Sequence, residues 1–228
     1  MSDIVLSIQD GSASVGFLGG HPLVPKGFSP PRSGINGIEQ RFMFQLFFPE
    51  WHDLSGNCLL FFFDPNNIDE HHVIPDMSTP DNYPKIVDRG VLEKQQRYHS
   101  IFIFSAQDLI VDPQIVSPLV RKNMSLVEKS EPGDRFGRLN RSPVWLLGDE
   151  TPPPSTRLPT FVFQISENYL FERHPTSSPQ RQIDYFSSTG VSDRNTDNYK
   201  IFVGNEIYIF AYADLIQFGA FVCVQNSE

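Results

Sequence analysis

The chain has 228 residues, 39% hydrophobic and 20% charged, which is enough for one large domain whose core needs no disulfide or metal to fold. Its formal charge of −9 argues against a nucleic-acid binder, which needs clustered Lys and Arg. No apolar run approaches the roughly 20 residues of a membrane-spanning helix, so neither nucleic acid nor membrane is an expected partner.

The N-terminal stretch MSDIVLSIQDGSASVGF carries Asp3 and lacks the basic start of a secretory signal. Cys58 and Cys223 each sit inside an apolar run and read as buried, reduced thiols, so a cytoplasmic location is expected. With 20 Phe, 19 Pro and 15 Gly, the composition favours strands and chain reversals over helices.

In chain order, GSASVG at 11–16 reads as a turn. FMFQLFF at 42–48 then alternates, with Phe42, Phe44, Leu46 and Phe48 on one face and Met43, Gln45 and Phe47 on the other. CLLFFF at 58–63, IFIF at 101–104, FVFQI at 161–165 and IYIFAY at 207–212 read as strands buried on both faces. FGAFVCV, from Phe218, alternates again. SAQD at 105–108 and SLVE at 125–128 have capping-box spacing and predict helices of one to three turns. Residues 64–84, 129–144 and 172–200 read as irregular, with GDRFG at 133–137 another turn.

Two phrases recur. FMFQL is followed by GNCLLFFF from Gly56, and FVFQI by GNEIYIFAY from Gly204. The offsets are 119 and 148 residues, so an internal duplication requires a 29-residue insertion in the second half, which the polar stretch 172–200 supplies. HPLVP at 21–25 is answered by SPVWLL at 142–147. A competing match pairs IFIFSAQDLI at 101–110 with IYIFAYADLI at 207–216, and the two alignments cannot record one duplication. A glutamine inside each apolar phrase must bond its amide, so Gln45 and Gln164 are expected to latch loop backbone near Pro22 and Pro143.

GGHPLVPKG at 19–27, FMFQL, GNCLLFFFD at 56–64, PVWLLGDE at 143–150, FVFQI and GNEIYIFAY together resemble the YwqG-like family of bacterial proteins. The resemblance spans about 16–224 in the family's order. It departs at FSPP (28–31), where family members often carry Trp-Pro, and at Asn140, Arg141 and Ser142, where a second Gly-Gly is absent. It implies an α+β fold, predominantly antiparallel β, forming a single domain over 1–228. Two β-rich lobes, about 16–128 and 140–224, carry a few short helices. Gly19, Gly20, Pro22, Pro25 and Trp145 take structural roles, beside Gln45 and Gln164. Some family members resemble immunity proteins that bind secreted antibacterial toxins.

No catalytic constellation stands out. DEHH at 69–72 presents at most two ligands per face of an extended chain, short of a zinc set, and GxSxG and P-loop patterns are absent, so no cofactor or metal is expected. Asp149 and Glu150 read as solvated turn carboxylates. Arg121, Lys122, Lys129, Arg135, Arg138 and Arg141 are interleaved with Glu128, Glu131 and Asp134 and read as a solvated face.

The charge is uneven: residues 1–82 hold ten acids against three bases, net −7, leaving −2 for the rest. The function expected is a non-enzymatic immunity protein that neutralises a basic toxin, such as a nuclease. Asp64, Asp69, Glu70, Asp76 and Asp81 would lie near the contact. The alternative is an enzyme or small-ligand protein with a cleft between the lobes.

Overall fold

The structure is a computed structural model that describes residues 5–8, 14–34, 36–63, 99–128, 134–152, 159–167, 169–194, 196–201, 205–211 and 220–225. The strands run as β1 (Val5–Ile8), β2 (Ser14–Leu18), β3 (Leu23–Val24), β4 (Arg41–Phe47), β5 (Asn57–Phe63), β6 (His99–Ser105), β7 (Ile110–Val111) and β8 (Lys122–Val127). They continue as β9 (Arg135–Arg138), β10 (Thr160–Ile165), β11 (Phe171–Glu172), β12 (Arg181–Ile183), β13 (Val191–Asp193), β14 (Asn198–Tyr199), β15 (Glu206–Ala211) and β16 (Ala220–Gln225).

Ten of them form one antiparallel sheet in the order β16-β15-β10-β9-β1-β8-β2-β4-β5-β6, so strands from both halves of the chain share one sheet. The sheet curls far enough that β6 and β16, at its two ends, come close to one another. Its inner face carries one core drawn from both halves, including Met43, Phe44, Leu46, Phe61, Met124, Phe136, Phe163, Ile165 and Ile207. Phe44 stacks on Phe61 and meets Phe136 and Phe163 edge-on. Outside the sheet, the first half buries Phe17, Phe42, Cys58, Leu60 and Phe62 under Phe28, and the second buries Phe161, Tyr208 and Phe210 under Trp145.

The strand order reads the same from either end. Moving outward from the central pair β8 and β1, β2-β4-β5-β6 on one side corresponds to β9-β10-β15-β16 on the other. A register shift breaks β4–β5 pairing between Phe42 and Phe44, and another breaks β10–β15 pairing between Phe161 and Phe163. Each is a bulge, and a bulge turns one side chain over. Strict alternation therefore fails in FMFQLFF: Phe42 faces outward, whereas Met43, Phe44, Leu46 and Phe48 face the inner core.

Other expectations change for related reasons. The expected turns at 11–16 and 133–137 run into β2 and β9, because Gly16 and Gly137 are close-approach residues. A Cβ at Gly16 would collide with the Gln45 carbonyl oxygen, and one at Gly137 with that of Gln164. SLVE lies in β8, up to its last residue, where pairing to β1 and β2 overrides a local capping preference. Ser105 ends β6, and Asp108 takes φ 60, a left-handed conformation that turns the chain instead of starting a helix. No helix occurs among the described residues. None is therefore long and apolar enough to cross a membrane.

Candidate functional site

The two glutamines anchor corresponding segments. Gln45 Oε1 accepts from Leu23 N at 2.9 Å and its Nε2 donates to Leu23 O at 3.0 Å. Gln164 Oε1 accepts from Val144 N at 3.0 Å and its Nε2 donates to Val144 O at 3.0 Å. Each amide thus imitates a neighbouring strand, pairing both backbone groups of the residue after Pro22 or Pro143. The amides also touch matching strand positions: Gln45 Nε2 reaches Cys58 Sγ, and Gln164 Nε2 donates to Glu206 Oε1. Cys58 is a buried free thiol, and burial raises its pKa, which suits packing and not reactivity.

Gly19 and Gly20 adopt φ 65 and 72, and a Cβ on Gly19 would strike the carbonyls of Leu119 and Val120. Pro22 O accepts from Asp112 N, and Pro25 O from Phe28 N. Trp145 packs 4.4 Å from Tyr208 and 5.9 Å from Phe210, centroid to centroid. Further clamps fix its segment: Tyr208 Oη accepts from Leu146 N, Gln225 Oε1 accepts from Leu146 N and Leu147 N, and Gln225 Nε2 donates to Gly148 O.

Beside that clamped segment lies an open cleft of about 620 Å³, within the range of small-molecule sites. Its lining residues all fall between Arg135 and Glu206. Val144, Trp145 and Leu146 line it together with Ser166, Glu167, Tyr169 and Leu170, and with Arg135, Arg138, Gln164 and Glu206. Glu206 is 8% exposed, and its carboxylate accepts from Gln164 and from Glu167 N at 2.8 Å. Burial raises its pKa, while those hydrogen bonds and the nearby Arg138 charge oppose the rise. Tyr169 is likewise pushed up by burial, then by Glu172 and Asp134. Arg135 and Arg138, expected on a solvated face, are half-buried here because a bulge at Phe136 puts both on the outer face with Gln164.

A second feature comes from the 172–200 stretch. β12 and β13 form a hairpin, and β11 pairs with β14. The hairpin loop closes on itself: Asp184 N donates to Gly190 O, Phe186 N to Asp184 Oδ1, Gly190 N to Ser187 O, and both Ser187 Oγ and Thr189 Oγ1 to Val191 O. At its tip Tyr185 is 82% exposed and Phe186 fully so.

Asp64, Asp69, Glu70, Asp76 and Asp81, like the DEHH stretch, lie outside the described residues. Among the described residues no group of three His, Cys, Asp or Glu is placed to hold a metal. Asp149 accepts from Thr151 N and Oγ1, which lowers its pKa, at an exposed turn. Sequence reasoning missed the cleft because Arg138, Gln164 and Glu206 come from separate strands. Tyr185 and Phe186 did carry a signal, as two adjacent aromatics in an otherwise polar insertion. Compared with models of known protein families, with curated proteins and with solved structures, the chain matches none.

Proposed function

We propose that this chain is a non-enzymatic immunity protein, which binds and neutralises a cognate antibacterial toxin in the cytoplasm and grips it with Tyr185 and Phe186. The hairpin tip carries the reading. A fully exposed Phe beside an exposed Tyr loses about 1.5–3 kcal/mol per side chain in unrealised burial, and adjacent aromatics of this kind commonly anchor interfaces. The loop's own hydrogen bonds hold the tip in shape before contact, which lowers the ordering cost of binding. The YwqG-like resemblance supplies the partner class, and the net −7 of residues 1–82 suits a basic toxin such as a nuclease. In this reading Asp64, Asp69, Glu70, Asp76 and Asp81 steer the encounter and the aromatic tip holds it.

The same proposal includes an internal duplication. The mirrored strand order, the paired bulges, the glutamine latches and the close-approach glycines support it. They favour the 119- and 148-residue offsets, in which β5 answers β15, over the match of β6 with β15.

The test starts with co-purification of the native protein with its partner from the source cell, followed by binding kinetics. Tyr185→Ala with Phe186→Ala should raise the dissociation rate by about 10–100-fold and leave the melting temperature unchanged. Reversing Asp69, Glu70 and Asp76 should slow association, and added salt should mimic that loss in the unaltered protein. An unchanged dissociation rate in the double alanine variant removes the hairpin from the contact.

A further inference from the structure

The two halves provide an internal comparison for the cleft. Phe17 faces Gln45 across β2–β4, as Arg138 faces Gln164 across β9–β10. Cys58 stands two residues before Leu60, which faces Gln45, and Glu206 stands two before Tyr208, which faces Gln164. Ser14 pairs with Ser125 just as Arg135 pairs with Ser7. Ser, Phe and Cys in one half thus correspond to Arg, Arg and Glu in the other. The first half packs its outer face with Phe17, Cys58, Leu60 and Phe62 beneath Phe28, and Arg121 lies 3.5 Å over the Phe17 ring. The architecture accepts an apolar filling at these positions. Burying charge is costly without compensation, so the second half's charges are a property of the site and not a demand of the sheet.

Those charges are not all compensated internally. Glu206 has two donors and the Arg138 charge. Arg135 Nε is buried without a hydrogen-bond partner. Ser7 Oγ, on the residue paired with Arg135, and Ser125 Oγ, on the residue paired with Ser7, are also buried without partners. Directly paired residues share a face, so a row of unused donors ends at the cleft. Around it, Val144, Leu146 and Leu170 are each more than a third exposed and form an apolar rim.

We propose that this cleft binds a small amphipathic carboxylate, with Arg135 receiving the carboxylate and Val144, Leu146 and Leu170 receiving its apolar group. A guanidinium presents parallel donors that match a carboxylate's two oxygens. The lining holds two arginines and two glutamates, Glu167 and Glu206, so a dianion such as phosphate meets more repulsion than a monoanion. This site is separate from the hairpin tip, and its occupancy does not depend on partner capture.

The probe is N-acetyl-L-leucine, titrated into the full chain by calorimetry and by Trp fluorescence, against N-acetyl-L-leucinamide as the uncharged counterpart. The acid should bind saturably and at least about 10-fold more tightly than the amide, the ratio expected of a charge-assisted hydrogen bond. Arg135→Gln should abolish that preference, while Arg141→Gln, outside the cleft, should preserve it. Free leucine and an acetylated peptide ending in leucine separate the sources. Tighter leucine binding marks a free metabolite site, and tighter peptide binding marks a site for chain termini. Equal affinity for acid and amide, or no saturable binding of either, overturns the proposal even if Arg135→Gln fails to fold. So does an acid preference that survives Arg135→Gln.

Discussion

Replacing Gln164 by leucine keeps side-chain bulk but strands three polar groups. Val144 N and Val144 O lose their partners at 3.0 Å, and the Glu206 carboxylate loses one of its donors. Val144 is partly exposed, so water recovers some of the loss there, and each backbone group costs about 1 kcal/mol. Glu206 is 8% exposed, and losing a hydrogen bond to a buried charge costs about 1.5–3 kcal/mol. The total is about 3–5 kcal/mol, a large share of the roughly 5–15 kcal/mol that stabilises a typical domain. Gln45→Leu strands Leu23 N and O but only a weak thiol contact, so about 2 kcal/mol is expected. Urea unfolding followed by Trp fluorescence should rank Gln164→Leu below Gln45→Leu, with similar denaturant slopes. The melting temperature should fall by about 2–4 °C per kcal/mol for a chain of this length. The Gln164→Leu deficit should also shrink in acid, because losing the amide raises the Glu206 pKa further and a protonated carboxyl no longer needs that donor. Equal penalties for the two variants, or penalties under about 0.5 kcal/mol, would refute the reasoning.

Further outcomes follow from the same geometry. Gly137→Ala and Gly16→Ala each push a Cβ into a glutamine carbonyl and should cost about 1–3 kcal/mol each in urea unfolding. Wild-type stability there would show that the strands can part. Burial lowers the His99 pKa from 6.5 to about 3, with its ring stacked on Phe61. The unfolded chain therefore binds the proton first, so stability is retained above pH 6.5 and lost as pH falls from there toward 3. By about pH 4.5 the loss reaches about 2–3 kcal/mol. Glu206 runs the other way: its raised pKa makes the folded state bind the proton first, so its contribution falls as pH rises. Comparing the unaltered protein with His99→Leu isolates the histidine. An unchanged slope of stability against pH in that variant would exclude it. Tyr185→Ala with Phe186→Ala should change urea unfolding little, because Tyr185 is 82% exposed and Phe186 fully so; a large loss would mean that the tip supports the fold.

The sequence by itself determined the strongly apolar strands β4, β5, β6, β10, β15 and β16 and the two latches. A phrase such as FVFQI is apolar on both faces except for one amide, and that amide had to find backbone partners near its own strand, which it did at Val144. These are short-range consequences of period and polarity, legible without knowing what lies alongside. Only the tertiary structure decided that Gly16 and Gly137 sit within strands, because their reason is a carbonyl on a strand distant in sequence. It also decided that bulges reverse Phe42 and carry Arg135 to the same face as Arg138. The cleft depends on residues 135, 164 and 206 meeting on three paired strands. Non-local pairing fixes that register, and a slip of one residue would turn Arg138 or Glu206 to the opposite face. Local sequence sets which residues prefer a strand; register between distant strands sets which of them meet.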